Sequence, residues 1–185
     1  MTFILISSKI IIVKERGEKQ MKMKRILKKY REFARYIDKD IKVKQDKEQW
    51  LSYVDQKLVC VPQLALEESD KHFMLSVKRA LPKDQKELVD IIPEITWSFL
   101  HEIGHTQKGL GFLYYVKQDL ANLLWKFKPT QWLGNIIYFR IKEEKQATKW
   151  ATDYVTNNLE VVIKFTNELS KAYQSHFKSM GLEKC

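Results

Sequence analysis

The segment His101-Glu102-Ile103-Gly104-His105 places two histidines four positions apart, and this spacing constrains the fold around them more than any other feature of the chain. Four residues make close to one helical turn, so both imidazoles share a face if the stretch is an α-helix. Pro93 and Glu94 suit the first turn of such a helix, and Gly109 suits its end. We therefore predict a helix over 93–108.

The two histidines and the glutamate between them point to zinc chemistry. Imidazoles at this separation suit a tetrahedral zinc ion, and Glu102 lies on the flank of the same face. A carboxylate there can accept a proton from zinc-bound water and pass it to a leaving amine. We expect His101 and His105 to bind Zn and Glu102 to be the general base of a metallopeptidase, a hydrolase with an H-E-x-x-H motif. Two alternatives stay open, namely a surface helix with unremarkable histidines and a zinc site that does not catalyse.

A catalytic zinc ion also needs a third protein ligand. The pattern H-E-x-x-H-x-x-G-x-x-H is absent, because lysine and glycine stand at positions 108 and 111, so the ligand must come from elsewhere, in a gluzincin-like arrangement. The best candidates are Glu143 and Glu144. They precede Ala147 by four and three residues, and the small Ala147 and Ala151 would allow one helix to approach another closely. Spacing alone does not choose between the glutamates. Two other histidines are alternative ligands: His72 and His176.

The segment Phe99–His105, followed later by Glu144-x-x-Ala147-x-x-x-Ala151, resembles the ImmA/IrrE family of zinc metallopeptidases. The family pattern is an H-E-[LI]-G-H helix and then an E-x-x-A-N-x-F-A helix, whose glutamate completes the zinc site. The resemblance implies that the histidines of the motif are ligands and that Glu102 is the general base. It also implies that Glu144, not Glu143, is the third ligand.

The same resemblance carries expectations about biology. Members of the family are intracellular, are often carried by phages or mobile elements, and cleave or inactivate helix-turn-helix repressors. The resemblance therefore implies a cytoplasmic enzyme with a protein substrate, such as a transcriptional repressor. It covers roughly residues 55–155 and departs from the pattern at Thr148 and Trp150, where the family has asparagine and phenylalanine.

Charge placement bears on an alternative function, a non-catalytic basic binding module for nucleic acid or a protein partner. The net charge is +10, but residues 1–48 hold fifteen Lys and Arg against seven Asp and Glu, whereas residues 49–185 hold eighteen against sixteen. A nucleic-acid module should place its cations around its recognition surface. Here they precede the histidine motif by some distance, so nucleic-acid binding is possible but not favoured.

Cysteine content and hydropathy indicate the compartment. Two cysteines, Cys60 and Cys185, do not make a disulfide framework and suit a reducing, cytoplasmic location. No stretch is long and apolar enough to predict a membrane span. The apolar start, Phe3 to Val13, is interpreted as a strand or a tail and not as a signal peptide. The true start could also be Met21 or Met23.

Hydrophobic periodicity predicts an α+β fold that is mostly α, with a helical metallopeptidase domain and a small sheet packed beside the H-E-x-x-H helix. Residues 1–48 form a basic N-terminal segment and not an independent domain, and 49–185 form the zinc-peptidase-like domain. Trp125 and Trp132 could line a substrate groove. Helices are predicted over 19–38, 93–108, 112–126, 141–156 and 159–180, and strands around 57–61 and 72–77.

Overall fold

The computed structural model describes residues 23–46, 50–62, 71–109, 111–138 and 140–179. These residues form eight helices and a three-stranded mixed sheet, which confirms the predicted α+β, mostly α class. In chain order the elements are α1 (23–37), β1 (Lys42–Asp46), β2 (Leu51–Tyr53), β3 (Leu58–Pro62), α2 (Lys71–Ala80), α3 (Leu88–Ile91), α4 (Glu94–Lys108), α5 (Phe112–Trp125), α6 (Gln131–Tyr138), α7 (Lys142–Asn157) and α8 (Leu159–Ser179).

The sheet has the order β1-β3-β2, with β1 parallel and β2 antiparallel to the central β3. All five residues of β3 are buried, and Val59 and Val61 are at most 1% exposed. A continuous apolar run of this kind is typical of a strand covered on both faces. The strand predicted around 57–61 is therefore confirmed, and it packs against α4 as expected of a sheet beside the H-E-x-x-H helix.

The back of α4 is fixed in an aromatic core. The fully buried ring of Phe99 meets the edge of Tyr30 from α1 at a centroid distance of 4.6 Å. Phe33, also from α1, stacks on Phe165 of α8 with centroids 4.0 Å apart. Aromatic pairs in such geometries add to the stability gained from burial alone. The basic helix α1 thus turns its apolar face into the same core as α4 and α8.

Residues 72–77 are the one segment with the wrong predicted structure, because they lie in helix α2 and not in a strand. Burial follows a helical period here: Phe73 and Met74 are partly buried, Val77 is buried, and Leu75 between them is 48% exposed. A strand would bury alternate residues. The Ser76 hydroxyl also donates a 2.7 Å hydrogen bond to the carbonyl of Phe73, three residues earlier, as helical geometry allows.

The other predicted helices are confirmed within the described residues, with ends that differ by one or two positions. Pro93 takes the N-cap of α4, and Gly109 ends it with φ of 76°, a left-handed value that favours glycine. The apolar start Phe3 to Val13 and the candidate starts Met21 and Met1 lie outside the described residues. Within the described part of the chain, none of the helices has the length and apolar character needed to cross a bilayer.

Candidate metal centre

Helix α4 holds both histidines of the motif in the interior. His101 is 5% exposed and His105 is 3% exposed, so neither is a surface residue. Their rings lie one turn apart, with centroids separated by 4.7 Å. Because α4 is buried on nearly every side, the imidazoles cannot turn toward bulk water. Their nitrogens must find partners on a neighbouring helix.

That neighbour is α7, and a glycine sets how closely it approaches. A Cβ atom placed on Gly104 would lie 2.7 Å from the carbonyl oxygen of Ala147 and 2.9 Å from its Cα. The two backbones are therefore nearly in contact at this point, as the absence of large side chains permits. Glu144 lies one turn before Ala147 on α7, so this contact brings its carboxylate to the histidines.

The three side chains converge on one point. His101 Nε2 lies 3.0 Å from Glu144 Oε2 and 3.1 Å from His105 Nε2, and His105 Nε2 lies 3.5 Å from Glu144 Oε1. One ligand atom from each residue lies within 4.8 Å of the others, and all three residues are buried. The structure thus brings together the three residues that were predicted as ligands.

Polar neighbours fix the orientation of this group. The Tyr114 hydroxyl of α5 donates a 2.9 Å hydrogen bond to Glu144 Oε1, and the Tyr138 hydroxyl of α6 also bonds to the Glu144 carboxylate. Thr148 Oγ1 lies 3.2 Å from His101 Nδ1. Nδ1 of His105 is buried and meets no hydrogen-bond partner among the described residues. Hydrogen-bond partners of this kind, which contact the ligands and not the metal, hold metal ligands in position.

Charge at the centre is concentrated on Glu144. Burial opposes its ionisation, but the hydrogen bonds from His101 and His105 hold the pKa of its carboxyl well below the ordinary range. The pKa of His105 is raised, because the hydrogen bond and charge of Glu144 outweigh the desolvation of the imidazole. Burial and the same carboxylate raise the pKa of the Tyr114 hydroxyl, which stays protonated and donates. Glu144 is therefore a carboxylate anion aimed at two imidazoles.

The other two glutamates of interest occupy different positions. Glu102 is half-buried, and its charge contributes to the raised pKa values of His105 and Tyr114, which places it close to the group. Glu143 lies toward Gly111, whose added Cβ would meet its Oε1 at 2.5 Å. The histidine-facing carboxylate is thus that of Glu144, the residue that the family pattern favoured and that helical spacing left undecided.

The arrangement fits a bound zinc ion. Zinc–ligand bonds of about 2.0–2.2 Å in tetrahedral geometry leave the ligand atoms roughly 3.3–3.5 Å apart, close to the three separations between these side chains. Lone pairs that converge at such distances repel each other unless protons or a cation lie between them. Two imidazole nitrogens with one carboxylate are a donor set that zinc favours. The residues therefore suit a metal with three protein ligands.

A cleft of about 950 Å³ opens onto the centre. His101, Glu144 and Thr148 form part of its wall, together with Tyr138. Trp132 lines it as predicted and is 63% exposed, whereas Trp125 is not among the lining residues. A concave surface beside a metal-ligand group is where a substrate would reach the site.

Sequence patterns did not reveal every residue of the centre. Tyr114 and Tyr138 lie in the aromatic stretch between the two motif helices, and no spacing rule marked them as partners of Glu144. Thr148 stands where the family pattern has asparagine, and it contacts a histidine. The side chains of the alternative ligands His72 and His176 fall outside those that the structure describes.

Comparisons with protein-family models, with curated proteins and with solved structures found no match. The interpretation of the centre therefore depends on its own geometry and on the motif resemblance.

Proposed function

We propose that the chain is a zinc-dependent metallopeptidase. One observation carries the proposal, namely the convergence of His101, His105 and Glu144 at ligand-like distances beside a cleft. The neighbouring Glu102 supplies the further group that hydrolysis requires. A purely structural site would not need a half-buried carboxylate or an open cleft next to it, since structural zinc sites are closed by four protein ligands.

Each residue has a distinct role in this proposal. His101, His105 and Glu144 would hold a zinc ion, which when bound would supply Lewis acidity toward the scissile carbonyl and would make water more acidic. Glu102 accepts a proton from the attacking water molecule, whose oxygen forms a bond to the carbonyl carbon. Glu102 then returns that proton to the nitrogen as the carbon–nitrogen bond breaks. Tyr114 and Thr148 act as positioning residues, because they hold Glu144 and His101 and are not themselves proposed to react.

A protein substrate is the natural extension of this proposal. The cleft has a volume of about 950 Å³ and is lined by apolar side chains such as Phe73 and Trp132, which can receive side chains of a polypeptide segment. The resemblance to the ImmA/IrrE family favours a transcriptional repressor as substrate and a cytoplasmic setting.

Glu102→Gln tests catalysis separately from metal binding. Glutamine keeps the shape of the side chain but cannot carry the proton, so the variant should keep its zinc and lose peptide hydrolysis by about 10²–10⁴-fold. Zinc analysis and turnover of unfolded protein or peptide pools are the measurements. Glu143→Gln is the matched control, since it makes the same change at a half-buried glutamate on α7 that is not one of the three proposed ligands. Wild-type turnover in Glu102→Gln would refute the assigned role.

A further inference from the structure

Four cationic side chains line the cleft beside the metal centre. Arg79 lies in the last turn of α2, Lys128 follows α5, Arg140 precedes α7, and Lys145 follows Glu144 within α7. All four side chains belong to exposed residues. Among the described residues that line the cleft, Glu144 is the one carboxylate, and it already accepts hydrogen bonds from the centre. The cleft therefore presents an unbalanced positive field to whatever enters it.

Large apolar side chains line the same cleft. Leu75 is 48% exposed, Trp132 is 63% exposed and Ile136 is 38% exposed, and Phe73 lies deeper. Phe73 also contacts the ring of His101 edge-on, with centroids 5.3 Å apart. Exposed aliphatic and aromatic groups grouped in a concave surface mark a place where a partner buries apolar area. The apolar lining thus extends to one of the proposed metal ligands.

Together these features define the chemistry of the occupant. We propose that the cleft binds an extended polypeptide segment in which acidic residues flank a large apolar side chain. The carboxylates would meet the cations of the rim, and the apolar side chain would pack between Phe73 and Trp132. This inference rests on the proposed function, because it assigns the substrate class of that same centre. Electrostatic complementarity of this kind selects partners more than it adds affinity.

A nucleic acid is the rival polyanion, and the apolar wall argues against it. Single-stranded nucleic acids bind through cations along the backbone and through aromatic faces on which bases stack. Trp132 is the one strongly exposed aromatic ring among the described lining residues, which gives a single base a place to stack. Leu75 and Ile136 are aliphatic and offer no stacking surface, and they match peptide side chains better. The expected occupant is therefore a peptide with acidic and apolar residues, and competition with DNA tests for nucleic-acid binding instead.

The test measures binding and cleavage separately. Zinc-loaded Glu102→Gln protein is titrated with three labelled peptides that share one apolar core and differ only in flanking Glu, Gln or Lys. Fluorescence anisotropy at physiological salt gives each Kd, with single-stranded DNA as a competitor. In parallel, the wild-type enzyme is incubated with a peptide library, and the residues around each cleaved bond are counted.

Charge reversal at the rim shows where the peptide binds. Arg79→Glu combined with Lys128→Glu should weaken binding of the acidic peptide about tenfold or more, because each reversal replaces an attraction with a repulsion. The same pair should improve binding of the lysine peptide. The double variant Lys164→Glu, Lys171→Glu is the matched control, since it reverses two exposed cations on α8, which contributes no described residue to the cleft. It should leave every Kd unchanged.

The outcomes separate this inference from the proposed function. Preference for the glutamate peptide, lost on reversal at the rim, supports the inference whether or not any bond is cleaved. Cleavage by the wild type without enrichment of acidic residues, or equal binding of all three peptides, overturns the inference and leaves the peptidase standing. Displacement of the acidic peptide by DNA at lower concentration than by unlabelled peptide would also overturn it. Charge-dependent binding without any cleavage would instead refute the peptidase.

Discussion

Glu144 is the residue on which the electrostatics of the centre depend. It is 3% exposed, yet it remains ionised, because His101 and His105 and the hydroxyl of Tyr114 all bond to its carboxylate. A buried carboxylate without such partners would be protonated. These partners come from two other helices, so the charge of this single residue depends on how α4 and α5 pack against α7.

The hydroxyl of Tyr114 allows the hydrogen bond that holds Glu144 to be tested by removing a single atom. Tyr114→Phe removes the hydroxyl that donates to Glu144 Oε1 and leaves the ring in place. We expect zinc affinity to fall about 10–100-fold, the usual cost of losing such a partner. Competition with a chromophoric chelator measures it. Tyr115→Phe is the control, because its side chain is 58% exposed on the same helix. An equal loss in both variants, or none in Tyr114→Phe, would contradict the assignment.

Tyr114 and Tyr115 also show which parts of the site could be predicted from the sequence and which could not. The proposed ligand histidines and the proposed general base follow from one short motif, since its spacing on a helix fixes a shared face. Adjacent tyrosines carry no such information. Which of them turns inward depends on how α5 is rotated against α7, and that rotation is set by tertiary packing.

The contact between helices α4 and α7 sets the geometry of the candidate metal centre. The predictive signal was the pair of small residues on α7, Ala147 and Ala151, which are at most 1% exposed. Ala147 meets Gly104 of α4, the fourth position of the H-E-x-x-H motif. The sequence therefore indicated a close helix pair, and the structure shows which backbones meet.

Gly104→Ala tests this contact. A methyl group there would lie 2.7 Å from a backbone oxygen of Ala147, which cannot rotate away. Overpacking of this kind costs about 1–3 kcal/mol, which exceeds the gain of up to about 1 kcal/mol from replacing a helical glycine. We expect a lower free energy of unfolding in urea and weaker zinc binding, because α7 must move with Glu144.

Gly111→Ala provides the comparison for that experiment. Its methyl group would meet only the carboxylate end of Glu143, a flexible side chain that can move. Stability and zinc binding should therefore stay near wild-type values. If Gly104→Ala behaved in the same way, the close approach of α4 and α7 would not control the centre.

Two elements show where local pattern was insufficient. Residues 72–77 have an apolar content that suits either a strand or a helix. The ends of α2 are polar, so the apolar run is shorter than the helix and has the length of a strand. Strand β1 was not predicted, because four of its five residues are polar and only Val43 is buried. Its parallel pairing with β3 depends on a distant segment, which a local pattern cannot display.

At the scale of the whole molecule, Asp38 connects the basic N-terminal segment to the rest of the fold. At the end of α1 its carboxylate accepts a 2.8 Å hydrogen bond from Lys57, just before β3. It also accepts one of 3.2 Å from Gln107 near the end of α4. The hydrogen bond from Lys57, followed by those from the Asp40 amide and Gln107, lowers the pKa of Asp38 to about 2.

This shift predicts a pH dependence of stability. Asp38 has a lower pKa in the folded chain than the ordinary value of about 3.9, so its stabilisation is present above about pH 4 and is lost as pH falls toward 2. Asp38→Asn should therefore be less stable than wild type in urea at pH 7, and the gap should close between pH 4 and 2.5. Asp153→Asn, which breaks an exposed pair within α7, should show little loss at any pH. A constant gap for Asp38→Asn would contradict the linkage.

The zinc content of the purified chain is the direct test of whether His101, His105 and Glu144 bind a metal ion. Metal analysis by mass spectrometry should find one zinc ion per wild-type chain. His101→Ala, His105→Ala and Glu144→Ala should each lose the metal, because two ligands hold zinc far less tightly than three. Glu143→Ala, one position away on the same helix, should keep a full complement. A wild-type chain without zinc, or full retention in any of the three ligand variants, would contradict the account.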